Sequence, residues 1–150
     1  MSTQIGPELP DDIYDRIIAL SEQGNELADE DEYERAEAVW AGALTLLPEP
    51  AVEWEPYTWL WASIGDVRYL TDDTAGATEA FFNALNGPGG VENPWIHYML
   101  GKSLVSADRA DRAADELMRA YMLDDDLFHN DEDEGERMLK ILRDAGARLD

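Results

Sequence analysis

The two histidines, His97 and His129, are the first places to look for proton transfer or metal ligation. They fall on different predicted elements, and neither has a partner at metal-ligand spacing. His97 lies within a predicted helix, where packing in the core or in a groove is its expected fate. Cysteine is absent, which removes disulfides, thiol nucleophiles and thiolate metal sites together. No Gly-x-Ser-x-Gly elbow, His-Glu-x-x-His pair or Walker lysine occurs. Carboxylates are abundant, but abundance alone does not make a tuned acid/base pair. The inventory predicts no enzymatic activity, no cofactor and no metal.

The acidic run from Asp124-Asp125-Asp126 to Asp131-Glu132-Asp133-Glu134 is the nearest thing to a calcium loop. An EF-hand begun at Asp124 needs an oxygen ligand at Phe128, glycine at His129 and glutamate at Gly135, and all three fail. Begun at Asn130, it puts Ile141 at the last ligand place, which fails too. A solvated acidic loop capping the next helix is the expectation.

The elements that carry these residues read as helical throughout. Alternating apolar patterns are missing, and Ala, Leu and Glu dominate the periodic segments. Helices are predicted over 11–28, 33–47, 57–71, 74–86, 94–106, 109–123 and 133–146. Asp73 or Thr74 can cap the fourth, Asn93 followed by Pro94 reads as a cap plus first-turn proline, and Asp108 can cap the sixth. Pro48, Pro50 and Pro56 bracket a linker containing Trp54, and Asn86-Gly87-Pro88-Gly89-Gly90 is a turn cluster. With 150 residues and 45% hydrophobic content, the chain can bury a core despite its acidity. Residues 1–10 are expected to be a flexible N-terminus and 11–150 one helical domain.

One pattern recurs along it. Gly24 is followed by Ala36, Trp40 and Ala43; Gly65 by Ala77, Phe81 and Ala84 at the same offsets; Gly101 by Ala113, Leu117 and Ala120. Small residues at those places let two backbones approach, and an aromatic or leucine knob between two alanines fills the groove opposite. Each helix pair leaves an apolar face that the next pair must cover.

These residues resemble the tetratricopeptide repeat family. Glu32-Tyr33-Glu34-Arg35-Ala36 through Trp40, Ala43, Leu44 and Pro48 looks like a second helix and closing proline of that repeat, and Trp61-x-x-Ile64-Gly65 looks like the first-helix signature. The resemblance implies an all-α, right-handed solenoid of helical hairpins. Its repeats fall at about 13–48, 57–90 and 93–126, with a C-terminal capping helix at about 133–146. Arg68 and Gly89 depart from the pattern, standing where an aromatic and a proline are usual, and the Glu49–Glu55 insertion is expected to reshape curvature or form a lip. Met138, Leu139, Ile141 and Leu142 make one face of the cap, with Arg137, Lys140 and Arg143 outward. Trp40, Trp61, Ile64 and Phe81 are assigned to the core.

The resemblance also implies a concave groove lined by first helices. Its candidate partner-binding residues are Asn25, Asp29, Trp59, Asp66, Tyr69, Trp95, Tyr98 and Lys102, with Ser21, Ala28, Ala62 and Val105 beside them. Trp and Tyr are favoured binding anchors. The family's clamp for acidic chaperone tails uses lysine, asparagine and arginine, where this chain has Ser21, Asn25, Ser63, Trp95 and Met99. Only the asparagine is kept, so that ligand class is not expected.

Formal net charge is −23. Residues 1–100 carry only Arg16, Arg35 and Arg68 against twenty acids. Such a field repels nucleic acid and anionic membranes and attracts basic proteins or peptides. No secretory signal or membrane-length apolar stretch is read in the sequence, and a cytoplasmic monomer is expected. The expected function is a non-enzymatic interaction module for a basic protein or peptide. It would serve as an adaptor or as a neutralising, immunity-type partner of a toxin. The rival readings are a self-associating structural solenoid and a tetratricopeptide co-chaperone.

Overall fold

The computed structural model describes residues 8–149, so the expected flexibility of residues 1–7 lies outside the described residues. Helix α1 spans Asp11–Asp29, α2 Tyr33–Leu44, α3 Glu55–Leu70 and α4 Thr74–Asn86. Then follow α5 Pro94–Ser106, α6 Ala110–Leu123, α7 Asp126–Asn130 and α8 Gly135–Asp144, with a short 3-10 turn over Ala51–Glu53. Among the described residues there is no strand. Several boundaries shift from expectation, with α2 ending at Leu44 and α8 confined to Gly135–Asp144, and two departures bear on the site. Helix α3 starts at Glu55, with Pro56 in its first turn, where its fixed φ suits the helix and its missing N–H costs nothing. The acidic stretch, expected as a loop, contains the short helix α7, because Phe128 anchors it in the core.

The helices pack as adjacent pairs, α1 on α2, α3 on α4 and α5 on α6, with α2 on α3 and α4 on α5 joining the pairs. Each pair closes on the glycine and knob that the sequence repeats. A Cβ on Gly24 would strike the Trp40 indole, one on Gly65 would lie 2.8 Å from the Phe81 ring, and one on Gly101 would lie 2.6 Å from Leu117. Trp40 is further pinned by its indole N–H, which donates to the Ser21 carbonyl at 3.2 Å. The equivalence extends to the turns. Asp31, Asp72 and Asp108 each adopt a left-handed φ near +60° between the helices of a pair. The next residue's N–H then returns to the carbonyl of Leu27, Arg68 or Leu104, at 2.9 Å in each case. Aspartate tolerates that conformation better than most residues because its short side chain bonds locally. Asp108 is therefore the turn residue and not the helix cap expected of it; α6 has no side-chain cap. Asp73 and Asn93 do cap, Asp73 accepting from Gly76 N–H and Asn93 from Trp95 and Ile96 N–H.

The core runs through all three pairs. Ile17, Trp40, Leu60, Ile64 and Val67 are buried in the first half. Phe81, Leu100, Leu104, Leu117 and Phe128 are buried in the second, where α8 adds Met138, Leu139 and Leu142. Trp61, assigned to the core, packs against it but is only half-buried: it meets Tyr57 edge-on at 6.3 Å, with the Arg68 guanidinium 6.0 Å from its ring. Arg68 thereby earns its place at a position where an aromatic was expected. It grips Glu37 of α2 through two nitrogens at 3.0 and 3.3 Å and donates to the Gly76 carbonyl of α4 at 3.1 Å, tying three helices together. No helix is long and apolar enough to cross a membrane among the described residues.

Candidate functional site

Helices α1, α3 and α5 touch in sequence along one side, α1 with α3 and α3 with α5. Between them opens a cleft of about 690 Å³. Of the eight residues expected to line a groove, Asn25 and Asp29 from α1, Trp59 and Asp66 from α3 and Trp95 from α5 share this cleft. Spacing on each helix brings them there. Trp59 and Asp66 are seven residues apart, two helical turns on one face of α3. Trp95 is held by the Asn93 cap and by an edge-to-face contact with Phe81 at 5.7 Å. Tyr33 and Glu55 also line it and were not anticipated. Glu55 lies outside the predicted helix 57–71; the earlier start of α3 places it beside the cleft, where it stays exposed.

Among the described residues the charged side chains that line the cleft are all acidic, Asp29, Glu55 and Asp66, with no lysine or arginine. Asp66 is only partly exposed, and no hydrogen bond or ion pair reaches its carboxylate among the described residues. Burial pushes its carboxyl above the ordinary range, and the charge of Lys102 offsets part of that. A half-desolvated carboxylate without a donor is an unfavourable arrangement that a bound cation would relieve.

Tyr69, Tyr98 and Lys102 do not reach this cleft. They were expected as open groove residues, but Tyr98 and Lys102 are buried, at 3% and 7% exposure. The chain's own acidic segment covers them. Tyr98 donates to Asp131 at 2.6 Å, Lys102 to Asp131 at 3.0 Å and Tyr69 to Glu134 at 2.8 Å, while the Lys102 ammonium also lies 3.0 Å from Glu134. That ammonium stands 5.2 Å from both tyrosine ring centres. Burial tends to raise Asp131, but hydrogen bonds from Tyr98, Lys102 and Glu134 N–H outweigh it and hold the carboxyl below its usual range. Burial, reinforced by Glu134 and Asp131 respectively, drives Tyr69 and Tyr98 up, so both stay protonated donors. The expected capping role is present, since Asp131 accepts from Glu134 N–H at 3.1 Å at the start of α8. Full solvation is not. Phe128, an aromatic inside an acidic run, is the sequence signal that this segment folds back.

His97 is buried and spoken for. Its Nδ1 lies 2.7 Å from Glu116 and its Nε2 2.8 Å from the Val91 carbonyl, joining α5 to α6 and to the preceding turn. Because the carbonyl only accepts, Nε2 carries a hydrogen, and a second proton must lie between Nδ1 and Glu116. His129 is exposed, 3.9 Å from Asp125. Asp124, Asp125 and Asp126 bring their oxygens within 4.8 Å of one another. Asp124 accepts from the Asp126 N–H at 3.1 Å, which is the geometry of a turn opening α7.

No family model matches this chain, and no curated protein matches it.

Proposed function

We propose that this chain is a non-enzymatic interaction module, built as three tetratricopeptide-like hairpins closed by a terminal helix, that binds a basic protein or peptide in the cleft between α1, α3 and α5. The observation that carries this reading is Asp66: a partly desolvated carboxylate without a donor, in a cleft it shares with Trp59 and Trp95. Aromatic faces beside a carboxylate suit a guanidinium or ammonium group through cation–π and charge-assisted contacts. Net charge of −23 supports the same choice by drawing cations from a distance. An adaptor that holds a basic segment and an immunity-type protein that covers the basic active site of a toxin both use this chemistry.

Titration with an arginine-rich peptide, followed by tryptophan fluorescence, tests it. Affinity is expected to fall at least about tenfold from low to high salt, because surface charges are screened within roughly 10 Å at 0.1 M. Asp66→Asn and Asp29→Asn are expected to weaken binding, while Glu132→Gln and Asp133→Asn, which do not line the cleft, leave it near the wild-type value. Binding indifferent to salt and to Asp66→Asn would overturn the reading.

A further inference from the structure

A second hollow, also about 690 Å³, lies between the start of α1, the 3-10 turn and the start of α3. It shares Glu55, Pro88 and Gly89 with the first, so the two adjoin along a common wall. That wall is fixed, since the Thr58 hydroxyl donates to the Pro88 carbonyl at 2.8 Å and holds the turn against α3. The second hollow repeats the chemistry of the first. Its aromatic surfaces are Tyr14, 45% exposed, and Trp54, whose indole N–H donates to the Pro48 carbonyl at 2.7 Å and so fixes the ring. Its charges include Asp11, Glu53 and Glu55, and again no lysine or arginine among the described residues lines it.

Two adjoining hollows of like chemistry suit a ligand that presents cations in series. An extended chain does so, with side chains on one side about 7 Å apart. We infer that the occupant is an extended arginine- or lysine-rich segment laid across both hollows, with one cation at Asp66 and another among Asp11, Glu53 and Glu55. This rests on the cleft reading above and adds to it the second subsite and the extended form of the partner.

Two peptides separate the claims: tri-arginine, about 10 Å long when extended, and a twelve-residue arginine–serine alternation of about 40 Å. Asp11→Asn/Glu53→Gln is compared with Asp111→Asn/Asp115→Asn, an equal charge change on the exposed side of α6. The long peptide is expected to lose about fivefold more affinity from the first pair than from the second, while tri-arginine responds to Asp66→Asn alone. If Asp66→Asn weakens both peptides but Asp11→Asn/Glu53→Gln does no more than the control, the shared furrow is wrong and the cleft stands. If tri-arginine loses as much as the long peptide from Asp11→Asn/Glu53→Gln, the hollows act separately and the inference fails. If Asp66→Asn changes neither peptide, the cleft reading falls with it.

Discussion

Lys102 on α5 holds Asp131 at 3.0 Å across 29 residues of chain, so this lysine engages the acidic segment and does not line the cleft. With Glu134 also at 3.0 Å, the ammonium answers two carboxylates and two tyrosine rings at once. Among the described residues that line the cleft, the charged side chains are then the carboxylates of Asp29, Glu55 and Asp66.

Lys102→Met should destabilise the protein by about 2–4 kcal/mol. Removing one partner from a buried ionic cluster leaves the others without a counter-charge, and the partial exposure of Glu134 trims the usual buried-pair penalty. Chemical denaturation measures it. A loss below about 0.5 kcal/mol would mean the cluster contributes no more than an exposed pair.

Alanine at two helical glycines should act with opposite signs. At Gly42 nothing lies within 4 Å of an added Cβ, so Gly42→Ala is expected to stabilise by about 0.5–1 kcal/mol. At Gly65 the Phe81 ring lies 2.8 Å away, and Gly65→Ala is expected to cost about 1–3 kcal/mol despite the same gain in helix propensity. Thermal melts of the two variants compare them directly. Stabilisation at both would show that α3 and α4 do not approach so closely.

His97→Ala should cost about 3–5 kcal/mol, because it leaves Glu116 buried without its partner and the Val91 carbonyl without its donor. The double change His97→Leu/Glu116→Leu removes both polar groups together and should recover much of that loss. A double variant as unstable as the single would point to shape, and not the shared proton, as the main contribution.

Asp66 and Asp131 should pull stability in opposite directions with pH. The folded state raises the Asp66 carboxyl, so its favourable contribution is full below the ordinary carboxylate value of about 3.9 and is lost as pH rises through the folded value. Asp131 is lowered, so its contribution is present above that ordinary value and is lost as pH falls through the lower folded one. Asp66→Asn should therefore raise Tm at neutral pH by roughly 1–4 °C, with a smaller gain near pH 4. It should weaken cation binding at the same time, the trade expected where a site holds an uncompensated group. A lower Tm at neutral pH would show that the carboxylate makes a contact the folded protein needs.

Local chemistry was legible where neighbours in sequence decide it. The Asn93-Pro94 start of α5, the Asp73 cap and the apolar face of α8 follow from residues within a turn or two of one another. The glycine-and-knob spacing was legible as well, because two helices joined by a short turn must meet at fixed offsets. Arg68 was not. Its partners Glu37 and Gly76 lie on two other helices, and its departure from the expected aromatic makes sense only once all three are packed.

The sequence by itself determined helices, their pairing and a strong net negative charge, since periodicity, small residues at close approaches and composition act locally or in sum. Only tertiary structure decided which groove residues stay open. Asn25, Asp29, Trp59, Asp66 and Trp95 line the cleft, whereas Tyr69, Tyr98 and Lys102, on the same helices α3 and α5, lie under Asp131 and Glu134. The physical reason is burial of Phe128, which draws the acidic segment back onto α5, where a lysine and two phenols can satisfy its carboxylates.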